Sequence, residues 1–191
     1  MLFLKYIMWR MESRNMSRHK LKLLIFDLFF LILLVLADQF TKYIAVLKLK
    51  AQPAFSIIDG VLEFNYLENR GAAFGMLQNQ KFFFIIVASA FLCVIVYVLF
   101  KSPDEKKYTR LHVLLIMIAG GAVGNMIDRL RFDYVVDFIY IALINFPIFN
   151  VADMYVTFST AVMIFQVLFV YKENDFDFLK SGKLINDERR L

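Results

Sequence analysis

The 191-residue sequence contains one cysteine, Cys93, and two histidines, His19 and His112. A single cysteine excludes any intrachain disulfide framework and leaves no set of thiolates for a structural zinc or an iron–sulfur cluster. Cys93 sits inside an apolar run, where a thiol is expected to pack rather than to act as a nucleophile. The two histidines lie far apart in sequence, so a histidine-based zinc site has little support. Charge is also missing over long stretches, residues 82–100 carrying none at all.

Hydrophobic residues make up 60% of the chain, 22 of them phenylalanine, well above the share typical of soluble domains. The length allows one domain with small appendages. An integral membrane protein follows. The net charge of +5 reads as topology and not as nucleic-acid binding, because the basic residues cluster beside apolar spans. Four spans are expected, at residues 21–37, 82–100, 111–127 and 154–171. Residues 1–20 form a basic arm that resembles the charged region of a signal peptide, but no small-residue cleavage site follows, so a cytoplasmic extension is expected. Residues 21–171 make the four-span domain, and residues 172–191 a cytoplasmic tail that is partly ordered at best. Four spans put both termini on one side, with the basic loop at residues 101–110.

Polar residues interrupt this pattern at definite places. Asp27, near the basic end of the first span, is expected to pair with Lys20 or Lys22. Asp38 and Lys42 are four apart and share a helix face, as a local ion pair or a brace beside a site. Asp59-Gly60 between β-prone runs signals a hairpin or small curved sheet outside the membrane. Small residues follow Asn69 at Gly71, Ala72 and Ala73, where backbone can approach a ligand closely. Gly120, Gly121 and Gly124 permit tight helix contact. Then come Asn125, Asp128, Arg129, Asp133, Asp137, Asn150 and Asp153 beside residues that read as bilayer-facing. Ionisable groups at such depths are costly and mark sites or pathways. Asp137 and Asp153 stand out, because two carboxylates in a partly dry place can share one proton and act as acid and base. On these grounds alone other readings stay open. Asp128 and Arg129 fit a salt-bridged loop, and Asn150 fits a helix cap with Asp153 in the first turn.

Asp38-x-x-x-Lys42, Asn69-x-Gly71-Ala72-Ala73-Phe74, Gly124-Asn125-x-x-Asp128-Arg129, Val135-Val136-Asp137-Phe138 and Asn150-x-Ala152-Asp153 occur here in one order. That series resembles the lipoprotein signal peptidases (bacterial signal peptidase II), over roughly residues 21–171. The resemblance implies four transmembrane helices with a small extramembrane β-sheet, a cradle, on the outer face. It implies an aspartyl endopeptidase of the bacterial inner membrane, acting as a monomer among membrane lipids on diacylglyceryl-modified prolipoproteins. Cleavage would fall on the amino side of the lipidated cysteine. By the same resemblance Asp137 and Asp153 are the catalytic pair. Asp38, Lys42, Asn69, Gly71, Asn125, Asp128, Arg129, Asn150 and Ala152 would bind substrate or support the pair, and no metal, cofactor or nucleic acid is implied. Arg129 is expected to pair with Asp128, and residues 145–149 to form a lid.

One departure is visible. Asp133 stands where that family usually has glycine. Aspartate tolerates a positive φ better than most residues, and its charge is expected to raise the pKa of Asp137. Against a proton-coupled transporter stand the clustering of the acids at one end and the lack of an inverted repeat. A non-catalytic membrane scaffold is the third alternative.

Overall fold

The computed structural model describes residues 17–71 and 76–180. The arm up to residue 16, the Ala72-Ala73-Phe74 stretch and the tail from residue 181 lie outside the described residues. The elements in order are α1 (Arg18–Leu49), β1 (Phe55–Ile58), β2 (Leu62–Asn69), α2 (Lys81–Lys101), α3 (Lys106–Phe132), β3 (Val135–Tyr140) and α4 (Val151–Phe169). Two short 3-10 helices, Ala142–Ile144 and Glu173–Leu179, complete them. Three helices, α2, α3 and α4, are long and apolar enough to cross a membrane.

Helix α1 is longer than the expected span. Ser17 caps it by accepting from the Lys20 amide, and its 32 residues reach roughly 48 Å. The helix does not stop at Asp38, because the polar side chains there turn inward and find partners. Its buried stripe is Lys20, Asp27, Leu34, Asp38, Lys42 and Ala45, while Ile25, Phe26, Phe29, Ile32, Leu33, Leu36 and Phe40 face outward. The usual soluble-protein arrangement is therefore inverted, with charge inside and apolar surface outside.

Helix α3 is the axis of the bundle. Tyr108, Leu111, Leu115, Ile116 and Ala119 pack with Leu34 of α1 and with Ile95 and Leu99 of α2. Its glycines permit close approach. A Cβ on Gly121 would overlap the Ala152 carbonyl of α4, and one on Gly124 would overlap the Asp38 carboxylate. The helix runs unbroken past all three glycines to Phe132. By contrast α2 buries only Ile95 and Leu99, so Cys93 faces outward instead of packing within the protein.

The expected sheet is present as three antiparallel strands in the order β1-β2-β3. Gly60, at φ 69°, makes the turn after Asp59. Residues 135–138 of β3 are buried, and Val136 and Phe138 pack on Ala45 of α1 in a second small core. The β2–β3 register places Asn69 opposite Val135 and Leu67 opposite Asp137. Asn69 is thus a diagonal neighbour of Asp137, within reach of a side-chain amide.

Asp27 does not pair with Lys20 or Lys22. Lys22 is exposed, and Lys20 stands two helical turns, roughly 10 Å, from Asp27. Ser102, the residue that caps the end of α2, and His112 of α3 fill that gap. Lys20 Nζ donates to the Ser102 carbonyl (2.8 Å) and Oγ (2.7 Å). His112 Nε2 lies 2.7 Å from Ser102 Oγ, and its Nδ1 lies 2.5 Å from Asp27 Oδ2. All four residues are buried, tying α1, α2 and α3 together at the end opposite the sheet. Nearby, the first part of the tail docks as a 3-10 helix, with the Tyr108 hydroxyl donating to the Asp175 carbonyl (2.7 Å).

Removing one member of a buried charged network strands the others, at a cost of about 3 kcal/mol. His112→Ala is therefore expected to lower the melting temperature in detergent by several degrees. A melting temperature equal to wild type would show that the network contributes nothing to stability.

Candidate active site

Asp137 is buried in the middle of β3. Its Oδ2 accepts from Asn69 Nδ2 (2.8 Å) and its Oδ1 from Asn150 Nδ2 (2.6 Å). Asp153 lies in the first turn of α4, where its Oδ1 accepts from Asn125 Nδ2 (2.8 Å) and its Oδ2 from the Asn150 amide (3.1 Å). Asn150 Oδ1 in turn accepts from the Asp153 amide (3.1 Å). The helix-cap reading of Asn150 and Asp153 is thus correct, and it does not compete with the site reading. One asparagine closes a capping box on Asp153 while its free amide holds Asp137. Asn150 Nδ2 also donates to Asn125 Oδ1 (3.1 Å), so the two amides link the two carboxylates.

Beneath this pair lies a second set of charges. Lys42 Nζ is 2.9 Å from Asp38 Oδ2 and 3.0 Å from Asp128 Oδ2, and it donates to Asn125 Oδ1 (2.8 Å). Asp38, Lys42 and Asp128 are each at most 3% exposed. Each acid catches a backbone N–H next to one member of the pair. Asp38 Oδ1 accepts from Ala152 N (3.0 Å), the residue before Asp153. Asp128 Oδ2 accepts from Val136 N (3.1 Å), the residue before Asp137. Ala152 N is one of the free donors at the start of α4, where a carboxylate is favoured. Gln39, which carries no motif signal in the sequence, completes the set by donating to Asp128 Oδ1 (2.9 Å) and the Gly124 carbonyl (3.2 Å).

Arg129 does not pair with Asp128, contrary to expectation. The two lie on a helix and not in a loop, and consecutive helical residues point in different directions. Asp128 turns to Lys42, while Arg129 Nη2 donates to the Gly71 carbonyl (3.2 Å) and Nη1 to the Asn125 carbonyl (3.5 Å). The guanidinium lies over the Phe84 ring, 4.4 Å from its centroid. Gly71 N donates to Asn69 Oδ1 (2.9 Å), which fixes the amide whose other end holds Asp137. In residues 145–149, Asn145 Oδ1 accepts from the Tyr140 hydroxyl (2.6 Å), and Phe149 bridges to Ile139 beside β3.

Burial, and then the charge of Asp153, push the Asp137 carboxyl up to about 7, against the opposing hydrogen bonds from Asn69 and Asn150. Asp133 is not the cause. It ends α3 in the left-handed conformation at φ 66°, as its residue type permits. Its exposed carboxylate pairs with Lys81 Nζ at 2.5 Å, which holds it below the usual carboxylate range.

Every site residue named from the sequence therefore converges at one end of the bundle: Asp38, Lys42, Asn69, Gly71, Asn125, Asp128, Arg129, Asp137, Asn150, Ala152 and Asp153. Apolar helices ending in two amide-linked carboxylates define a membrane-integral protein with a pair of acids at one end of its bundle. The family model described as signal peptidase (SPase) II matches residues 30–169, and the chain belongs to that family. It is 42% identical over 136 residues to the lipoprotein signal peptidase of Caldanaerobacter subterraneus subsp. tengcongensis, covering 71% of this chain and 90% of the relative. With the lipoprotein signal peptidase of Streptococcus pyogenes serotype M5 it shares 38% identity over 146 residues, 76% of this chain and 93% of that one. A solved bacterial membrane enzyme, determined in meso at 2.3 Å, superposes with a TM-score of 0.66 at 31% identity, covering 74% of this chain and 87% of that one.

Lys42→Met leaves Asp38 and Asp128 buried without their shared cation. It is expected to destabilise the fold by roughly 3–5 kcal/mol and to abolish activity. Thermal unfolding beside a peptide-cleavage assay checks both, and a variant of wild-type stability would contradict the role of the lysine.

Proposed function

We propose that Asp137 and Asp153 are the catalytic pair of an aspartyl endopeptidase that cleaves diacylglyceryl-modified prolipoproteins on the amino side of the lipidated cysteine. The chain is a peptidase of the family that removes signal peptides from prolipoproteins. The observation that carries the assignment is the linked pair itself, with Asn150 donating its side-chain amide to Asp137 and its backbone amide to Asp153. In the pair, one carboxylate takes a proton from the attacking water while the other donates one to the leaving amide nitrogen. The raised Asp137 carboxyl suits the protonated role near neutral pH. Asn69, Asn125 and Asn150 hold the carboxylates in place, and the second N–H of Asn69 and of Asn125 serves substrate carbonyls, both N–H groups of Asn150 being used within the site. Residues 145–149 act as a lid beside β3.

In this reading α1 is the fourth span. Its outward face is apolar along its length and its charges are buried against α2, α3 and α4, which supports a lipid-facing helix despite Asp27, Asp38 and Lys42. The four helices run alternately, so the loop between α2 and α3 and both termini fall on the cytoplasmic side of the bacterial inner membrane. The sheet and the pair then lie near the outer face. Residues 21–171 work as one peptidase unit and as a monomer, between a basic cytoplasmic arm at 1–20 and a cytoplasmic tail at 172–191.

Two expectations follow. Asp137→Asn and Asp153→Asn each reduce processing of a diacylglyceryl-modified prolipoprotein to background, while the purified variants keep their helical circular dichroism. Activity surviving either substitution would move the chemistry elsewhere. The second concerns pH. An acid raised to about 7 keeps its proton below that value and loses it above. The rate is therefore expected to fall as pH rises through about 7, with the limb belonging to the coupled pair. A rate constant from pH 6 to pH 9 would contradict this.

A further inference from the structure

The three phenylalanines at 82–84 open helix α2, and only Phe84 turns inward, Phe82 and Phe83 being exposed. The face of its ring meets the Arg129 guanidinium at 4.4 Å, and the Phe83 ring packs edge-on against it at 5.6 Å. Among the described residues no carboxylate forms an ion pair with Arg129, whose hydrogen bonds go to the carbonyls of Gly71 and Asn125. A guanidinium with no carboxylate in direct contact depends on an aromatic face for much of its orientation, since the ring quadrupole attracts a poorly hydrated cation. A second contact lies one turn away. Lys81 pairs with Asp133, and the Asp133 amide donates to the Arg129 carbonyl. The first turn of α2 therefore grips the end of α3 at two points.

We propose that Phe84 is a positioning residue for the acid pair, its ring holding Arg129 against the Gly71 carbonyl and thereby fixing Asn69 on Asp137. The connection is continuous: Phe84 ring to Arg129, Arg129 Nη2 to Gly71 O, Gly71 N to Asn69 Oδ1, and Asn69 Nδ2 to Asp137 Oδ2. Phe84 makes no hydrogen bond to the acids and acts through Arg129, by this chain of hydrogen bonds and by the place of the guanidinium charge beside Asp153 and Asp137. The inference rests on the assignment of Asp137 and Asp153 as the catalytic pair. The proton affinity of Asp137 is set first by burial, then by Asp153 of α4, the amides of Asn69 and Asn150, and Lys42 of α1, while the Arg129 charge on α3 also acts on Asp153 and Asp137. Loosening Asn69 removes a donor that favours the ionised form, so the pair holds its proton to higher pH.

The test uses the full chain in detergent with diacylglyceryl-modified prolipoprotein, and compares Phe84→Leu, Phe84→Met and Phe84→Tyr. The two aliphatic variants are expected to lose three- to tenfold in kcat with KM within twofold of wild type, and their alkaline limb to move upward. Phe84→Tyr, which keeps the ring face, is expected to stay within twofold of wild type in kcat. Arg129→Lys, which loses the planar fork, is expected to show the same shift of the limb. Combining it with Phe84→Leu should then add little further loss. The proposal is overturned if the folded aliphatic variants keep wild-type kcat and pH profile, if tyrosine is as damaging as leucine, or if the two losses simply multiply. Asp137→Asn and Asp153→Asn run alongside, so cleavage surviving there would defeat the assignment of the pair and not the role of Phe84.

Discussion

The buried lysine with its two aspartates is the constraint on which the rest of the site depends. Lys42 pairs with both Asp38 and Asp128 where water cannot reach them, and each aspartate also accepts from one backbone amide. Those amides belong to the residues just before Asp153 and Asp137. The start of α4 and the start of β3 are thus fastened to the same ammonium group, through acids on α1 and α3. Small side chains are required where these parts meet, and Gly121, Gly124 and Ala152 supply them. A buried ion pair is weak evidence for net stability, because desolvation offsets the Coulomb attraction. Its role here is geometric: it sets the distance between two elements that carry one acid each.

Above that brace, amides do the work that charges do below. Asn150 bonds to both acids, and Asn125 holds Asp153 while accepting from Asn150 and Lys42, since an amide can donate at one end and accept at the other. The direct hydrogen bonds to the two carboxylates come from neutral amides, while the cations Lys42 and Arg129 act on them only at a distance. Burial and mutual repulsion then keep one proton in the pair near neutral pH. Lys42 makes its direct contacts to Asp38, Asp128 and Asn125, and its charge reaches Asp137 only as the weakest of the influences on that acid.

The bundle has charged networks at both ends of α1 and an apolar middle. Asp27 and Lys20 meet Ser102 and His112 at one end, and Asp38 and Lys42 meet α3 and α4 at the other. Leu34 separates them in the core. Polar contacts of this kind are suited to joining helices whose outer surfaces are uniformly apolar, because hydrophobic burial between helices provides little drive in lipid.

Much of this was legible in the chain. Long runs without charge gave the helices, Asp59-Gly60 gave the hairpin turn, and the acids and amides beside those runs marked the site, because their cost in such surroundings demands a use. The positive φ at Asp133 fits a position where the resembled family has glycine, and aspartate tolerates it. What a linear reading missed was direction and partnership. Asp27 and Lys20 are near in sequence but bond through Ser102 and His112, and Asp128 turns from its neighbour Arg129 to Lys42, because successive helical residues diverge. Gln39 and Phe84 carry no motif of their own, and their roles exist only because α1 and α2 pack against α3. The sequence by itself determined which residues could not remain unpartnered in an apolar setting. The tertiary structure alone decided which partner each one met, since that depends on helix rotation and strand register.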